Sequence, residues 1–353
     1  DRSRRDCPKD YNAIIKSHTG FQPLEEVWVG DCYPMSFSEA IAEQHRDLFH
    51  KVNEATTQDL NQLVKKLKEL DVIVRRPEFN SINHYIDYND NLLKPPITPR
   101  DWALTLDDTL YIIPQYNNHK KVEPFQSAIN LYKKNNQKVK ILDRSIPEDM
   151  CWMMFPSTVR VGRDLFIDTM QEEQISSVLN HFAKDYRVHV TRTGDHGDGI
   201  FCPISPGHIF STHYLTTYNK TFPDWEIYFL ADTTGYRASN GRNGKWWLPG
   251  VDYSHYNSEI FKFAEHWLGD SRETIFEVNM LIIDEKNVIC ISEDDAACKK
   301  LESLGITPHV IDFKTRGFWD GGIHCLTLDI RRKGDKLDYW PGRGENGIYY
   351  YDF

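Results

Sequence analysis

The sequence predicts an α/β protein built from about five hairpin-and-helix units set around an axis. Three observations carry this prediction. Alternating apolar strands recur in pairs joined by tight polar turns. Helical patterns with three-and-four spacing lie between the pairs. The strand near the start of the chain matches one near its end, and pairing the two would close the structure and remove an exposed edge. An ordinary mixed α/β sheet satisfies the same local pattern, because the recurrence is irregular in spacing.

Taken in order, "EVWVGD" (26 to 31) reads as a strand whose partner is "HCLTLDIRR" (324 to 332). The spacing over residues 37 to 71 predicts one long amphipathic helix. "LLKPPITPRD" (92 to 101) is stiffened by its prolines. Hairpins follow at "WALTLDDTLYIIP" (102 to 114), "STVRVGRDLFID" (157 to 168), "IFCPISPGHIFST" (200 to 212) and "VNMLIIDEKNVICIS" (278 to 292). "SEDDAACKKLESLG" (292 to 305) opens on a serine cap and closes on glycine, as a helix should. No low-complexity linker divides the chain, so residues 1 to 353 are expected to form a single domain.

The 353 residues are 40% hydrophobic and 13% aromatic, enough for a large core. A formal net charge of −10 argues against a nucleic-acid partner, which needs a basic face, and suits small cationic substrates. No apolar run reaches the ~18 residues of a membrane span, and "DRSRRDCPKD" has no signal-like core. Seven cysteines (7, 32, 151, 202, 290, 298 and 325) show no CxxC pair, which fits free thiols in a reducing, cytoplasmic setting.

Reactive groups concentrate in "TPRD" (98 to 101), "TGDHGDG" (193 to 199) and "DGGIHC" (320 to 325), each beside a hairpin. A nucleophilic thiol needs a base, and a cationic substrate needs carboxylates around it. Singly, Cys325 reads as a buried hydrophobe, His196 as a surface polar group and Asp101 as a turn residue. A metal site on His196, Asp198 and His208 lacks any HExxH-like spacing, so no metal is expected. "KWWLPGVDYSHY" (245 to 256) and "YYYDF" (349 to 353) read as loop packing and C-terminal docking, and "GRNG" and "GRGENG" as glycine turns.

The blocks "DYRVHVTRTGDHGDG", "EVNMLIIDEKNVICIS", "LESLGITPHVIDF" and "GGIHCLTLDIRRKG" resemble those of the amidinotransferases, of the glycine amidinotransferase type, in the guanidine-modifying (pentein) superfamily. "PLEEVWVGD", "TPRDWALTLDDTLYIIP" and "RVGRDLF" extend the likeness in the same order. The resemblance implies a five-bladed β/α propeller of pseudo-fivefold ββαβ units around a central active site. It implies Cys325 as nucleophile, His196 as general acid and base, and Asp101 and Asp198 as the carboxylates that grip a guanidinium. Asn279 joins the substrate-binding positions. Ping-pong transfer of an amidino group from arginine or a related guanidine to an amine would follow, with no cofactor; a homodimer is also compatible.

Three positions depart from the family pattern. Ser157 stands where relatives carry the aspartate that orients the histidine, and Glu148, Asp149 or Asp195 could stand in for it. Leu215 falls where relatives hold the donor carboxylate with arginine, with Lys220 the nearby cation. Glu277 falls where a serine assists. A glutamate repels a carboxylate and attracts an amine, which points to a substrate with a cationic or neutral distal end, such as a polyamine-like acceptor. Two other readings stay open: a deiminase-type hydrolase using the same cysteine, and a guanidine- or amine-binding protein with weakened catalysis.

Overall fold

A computed structural model describes residues 13–86, 92–113, 122–141, 155–193, 196–212, 218–230, 267, 277–291, 295–319 and 321–351. Within them the strands fall into five separate sheets, one of four strands and the others of three. Each hairpin expected from the alternating pattern is present. The pairs are β3 (Ala103–Leu106) with β4 (Thr109–Ile112), β6 (Thr158–Val161) with β7 (Asp164–Asp168), β9 (Phe201–Ser205) with β10 (His208–Ser211), and β12 (Leu281–Ile282) with β13 (Asn287–Cys290), all antiparallel. The turns of the first three carry left-handed residues: Asp107 (φ 52°), Gly162 (φ 64°) and Gly207 (φ 88°).

To each hairpin a third strand is added in parallel after a crossover. These are β5 (Lys138–Ile141) on β4, β8 (Arg187–Thr191) on β7, β11 (Glu226–Phe229) on β10 and β14 (Thr307–Val310) on β13. The fifth sheet joins the two ends of the chain. There β1 (Leu24–Val29) pairs antiparallel with β15 (Thr327–Arg332) and parallel with β2 (Ile73–Arg75). The sequence-based pairing of these two strands is thus observed. Residues 347–350 (β16) add to the edge of β8, and Tyr351 donates or accepts a 2.7 Å bond with His189 Nδ1, so this end of the chain docks as expected.

The long helical pattern begins later than its periodicity suggests. Met35–Ala40 forms a 3-10 turn, and the α-helix α1 runs over Glu43–Glu69. Its buried stripe of Leu48, Phe49, Val52, Leu60, Leu63 and Leu67 packs in one core cluster with Trp267, Phe318 and Trp319. The helix Asp295–Ser303 ends on Gly305 (φ 78°), with the Gly305 and Ile306 amides bonded back to Glu302 and Leu301. Its expected serine cap, Ser292, lies outside the described residues, as does the aromatic stretch 245 to 256. Among the described residues no helix is long and apolar enough to cross a membrane.

The strand that follows Cys325 is clamped between two core clusters. Ile323 and Leu326 belong to the α1 cluster, while Leu328 and Ile330 belong to one formed with Trp28, Trp102 and Phe125. The segment ahead of β15 is therefore held on both sides by dense packing, which limits the backbone freedom of residues 321 to 326.

Candidate active site

Cys325 is buried at 2% exposure in the turn that leads into β15. Its surroundings are set by Asn279, whose amide is used completely. Asn279 Oδ1 accepts from the Cys325 amide at 3.0 Å, and Nδ2 donates to Cys325 Sγ at 3.0 Å and to the Asp198 carbonyl at 3.2 Å. The Asn279 carbonyl also accepts from the His324 amide at 3.1 Å. An N–H aimed at sulfur favours the thiolate over the thiol, because it stabilises the charged form.

The two glycines before the cysteine create this arrangement. A Cβ on Gly322 would stand 2.7 Å from Asn279 Cβ, and one on Gly321 would stand 3.0 Å from Cys325 Cβ. The close approach these glycines permit is to the side chains of Asn279 and Cys325 themselves. That pairing spans 46 residues of sequence.

Asp198 sits in the four-residue helix Gly197–Ile200, buried at 4% exposure. Its Oδ2 is bonded to His324 Nδ1 at 2.7 Å and accepts from Cys325 Sγ at 3.5 Å. Its Oδ1 is buried with no hydrogen-bond partner, the one carboxylate oxygen in that condition among the described residues. Burial alone would raise the Asp198 pKa. The His324 hydrogen bond, with further electrostatic help from His196 and Arg100, outweighs it and holds the carboxyl below its ordinary value. Burial, and then Arg100, push His324 below the ordinary histidine range against the pull of Asp198 and Asp329. The ionised carboxylate can only accept, so His324 Nδ1 carries the proton.

Arg100 ties this assembly to the turn Pro99–Asp101. Buried at 2% exposure, it donates from Nε to the His324 and Thr327 carbonyls at 3.0 Å each, and from Nη2 to Asp329 Oδ1 at 2.9 Å. Asp329 in turn accepts from Ser17 Oγ at 2.8 Å, from Arg332 Nε at 2.9 Å and from Arg160. Asp101 follows Arg100 directly, half-buried, and accepts from Thr98 Oγ1 at 2.5 Å. A cavity adjoining the site is lined by Arg100, Arg160, Asp198, Cys202, Met280 and His324, among others.

The structure thus brings Cys325, Asn279 and Asp198 into direct contact and hangs Asp101 on the same frame through Arg100. His196 caps the helix that carries Asp198, its carbonyl accepting from the Gly199 amide at 2.9 Å, and its charge acts on Asp198. Ser157, buried, packs its backbone against Gly197, 3.0 Å from where a Cβ would be. It therefore lies beside the turn that presents His196. Glu277 is buried two residues before Asn279, and its charge acts on Cys290. Lys220 lies on the exposed side of the helix Tyr218–Thr221. Glu148, Asp149, Asp195 and Leu215 lie outside the described residues.

His208 is engaged elsewhere, 3.2 Å from Tyr228 and 3.8 Å from Glu226, and no group of metal-ligating side chains occurs among the described residues. None of the described cysteines 32, 202, 290, 298 and 325 forms a disulfide. Sequence reasoning missed Arg100, Arg160, Asp329 and the role of His324. The available signal was a charge placed at a strand position flanked by buried apolar residues, in "TVRV" and "TLDIRR".

No family model matches the chain. Glycine amidinotransferase of Gallus gallus, a mitochondrial protein, is 27% identical over 194 residues, covering 52% of this chain and 39% of that protein. The L-arginine:L-lysine amidinotransferase of Pseudomonas savastanoi pv. phaseolicola is 23% identical over 188 residues, covering 51% of this chain and 44% of that protein. Each match spans less than half the length of the curated relative. Among solved structures, an amidinotransferase of the saxitoxin biosynthetic pathway from Microseira wollei aligns at a TM-score of 0.66 with 19% identity, over 92% of this chain and 99% of its own. The chain is therefore related in sequence to the glycine and arginine:lysine amidinotransferases and shares the fold of a solved amidinotransferase.

Proposed function

We propose that the protein is an amidinotransferase that moves an amidino group from a guanidine donor, through Cys325, to an amine acceptor. The observation that carries this reading is the partnerless, buried Asp198 Oδ1 beside a thiol that Asn279 already hydrogen-bonds. A buried carboxylate oxygen without a donor is costly. A guanidinium regains that cost with planar N–H donors while presenting its central carbon to the sulfur.

In this reading the Cys325 thiolate attacks the guanidinium carbon, forming a C–S bond and a tetrahedral adduct gripped by Asp198 and Asp101. His196 protonates the departing amine as the C–N bond breaks, leaving an amidino group on sulfur. An acceptor amine then adds to that carbon, giving up its proton to His196, and the C–S bond breaks to return the thiolate. The five sheets would form the blades of a ring around this site, closed by the pairing of β1 with β15. Glu277 suits a substrate whose distal end is cationic or neutral, such as a polyamine-like acceptor or a decarboxylated donor.

Product analysis tests the proposal. Arginine and its decarboxylated analogue are incubated singly with glycine, lysine and diamines of graded length. Release of the donor's amine product only when an acceptor is present supports transfer. Ureido products formed without an acceptor would mean hydrolysis, and binding without any product would mean a guanidine-binding protein. An amidino adduct on Cys325 seen by mass spectrometry, absent from Cys325→Ala, would locate the chemistry; turnover in that variant would refute the site.

A further inference from the structure

We propose that His324 is a positioning residue: its Nδ1–H fixes Asp198 through Oδ2, so that Oδ1 alone meets a flat cationic substrate and the charge on the oxygen nearest the thiol is partly neutralised. The inference rests on the functional reading above, since it names how that site is held. A carboxylate has two equivalent oxygens, and a side chain as short as aspartate can present either. Here the choice is made: Oδ2 takes the His324 ring at 2.7 Å, and Oδ1 takes no protein donor.

The same contact resolves an electrostatic conflict. Cys325 Sγ lies 3.5 Å from Asp198 Oδ2, a separation at which an unscreened carboxylate opposes formation of a thiolate. The His324 N–H sits on that very oxygen and draws its charge away from sulfur. Among the described residues, Asp198, Arg100 and Asp329 act on the ring electrostatically. With burial and Arg100 favouring the neutral imidazole, its one proton is committed to Asp198.

His324 offers a clean separation of backbone from side chain. Its amide bonds to the Asn279 carbonyl at 3.1 Å, and its carbonyl accepts from Arg100 Nε at 3.0 Å, and both are backbone groups that a substitution retains. Substitution therefore removes the ring and leaves the turn anchored.

The test compares H324N, whose amide nitrogen falls near the place of Nδ1, with H324L, which has no donor. The probes are two alkylating reagents of equal size, neutral chloroacetamide and cationic chloroacetamidine, and the readout is the ratio of their rates at Cys325 by mass spectrometry. Wild type and H324N should share a ratio that favours the cation at neutral pH, while H324L should lose it by about tenfold or more. In turnover, H324L should raise the donor KM more than it lowers kcat, and H324N should restore it. If H324L does not fold, H324Q, whose donor reaches the Nε2 position instead, should behave as the deficient variant. Equal ratios in wild type, H324N and the deficient variant overturn the proposal while leaving the functional reading standing. No cation preference and no transfer in wild type overturn both.

Discussion

Asp329 is the residue on which the frame of the site depends, and its neutralisation should be among the most damaging isosteric changes in the protein. It is fully buried and accepts from three guanidinium groups, Arg100, Arg160 and Arg332, and from Ser17. These partners come from the residues before β1, the Pro99–Asp101 turn, β6 and β15 itself. Burial lowers the pKa of Arg160 and takes that of Arg332 down to about 10, which marks both as cations held against a desolvation penalty. Asp329→Asn keeps shape and one acceptor but removes the charge that compensates them. Breaking a single buried ion pair typically costs about 3–5 kcal/mol. Here the three arginines share one carboxylate, so the loss should fall at or above the upper end.

At roughly 2 °C per kcal/mol for a chain of this size, thermal melts by circular dichroism at one scan rate should show a fall of about 10 °C or more at pH 7. The pH dependence has a defined sign. The Asp329 carboxyl is held well below its ordinary value, burial opposing and Arg160, Arg332 and Arg100 prevailing. Its stabilisation is therefore fully present above the unfolded-state value of about 3.9 and fades as pH drops through the folded one. The gap between wild type and D329N should hold steady from pH 8 to 5 and narrow below pH 4. A variant within 2 °C of wild type at pH 7, or a gap that widens on acidification, would refute the reasoning.

Other perturbations separate packing from chemistry. Asn279→Ala should leave the fold intact at a cost of about 1–3 kcal/mol, since it orphans the buried Cys325 amide, and should slow Cys325 alkylation by neutral reagents; unchanged alkylation would show that the Nδ2 contact to sulfur is inert. Gly322→Ala forces a methyl within 2.7 Å of Asn279 Cβ and should reproduce the same chemical defect; full reactivity would mean the turn yields easily. Tyr351→Phe removes one bond to the buried His189 and should cost about 1 kcal/mol in a melt, with no effect on Cys325 reactivity.

The hairpins were legible because their signal is local: alternation in strands, and Asp107, Gly162 or Gly207 at turns that need a left-handed residue. The third strands, β2, β5, β11 and β14, were not singled out. They are short, partly exposed and of mixed polarity, and they earn their place from a neighbour reached only after a helix. At the site, Cys325 and Asp198 stood out by residue type. Asn279 was placed among the binding residues, yet its amide is committed to Cys325 and Asp198, a pairing that no spacing rule encodes. Arg100 was passed over inside "PRD" for the aspartate beside it, since an arginine in a proline-rich loop normally reads as solvated. Its partners, 224 to 229 residues away, exist only in the folded chain.

Arg100 also explains how segments so far apart in sequence hold one geometry. Its Nε grips the two carbonyls of the turn that carries Cys325, and its Nη2 reaches Asp329 on the strand below. Any drift of the Pro99–Asp101 turn relative to the cysteine would break charge-assisted bonds in a buried setting, where nothing replaces them. Three arginines of the frame, Arg100, Arg160 and Arg332, donate to carbonyls and to the one shared carboxylate of Asp329, while a second carboxylate, Asp198, is left half satisfied. Folding gives up stability at that oxygen, and in the function proposed a ligand with the same planar donors as arginine would restore it. The frame and the proposed site therefore use one interaction for two ends: filled in Asp329, it fixes the architecture, and held open in Asp198, it would, in the function proposed, select what approaches the sulfur.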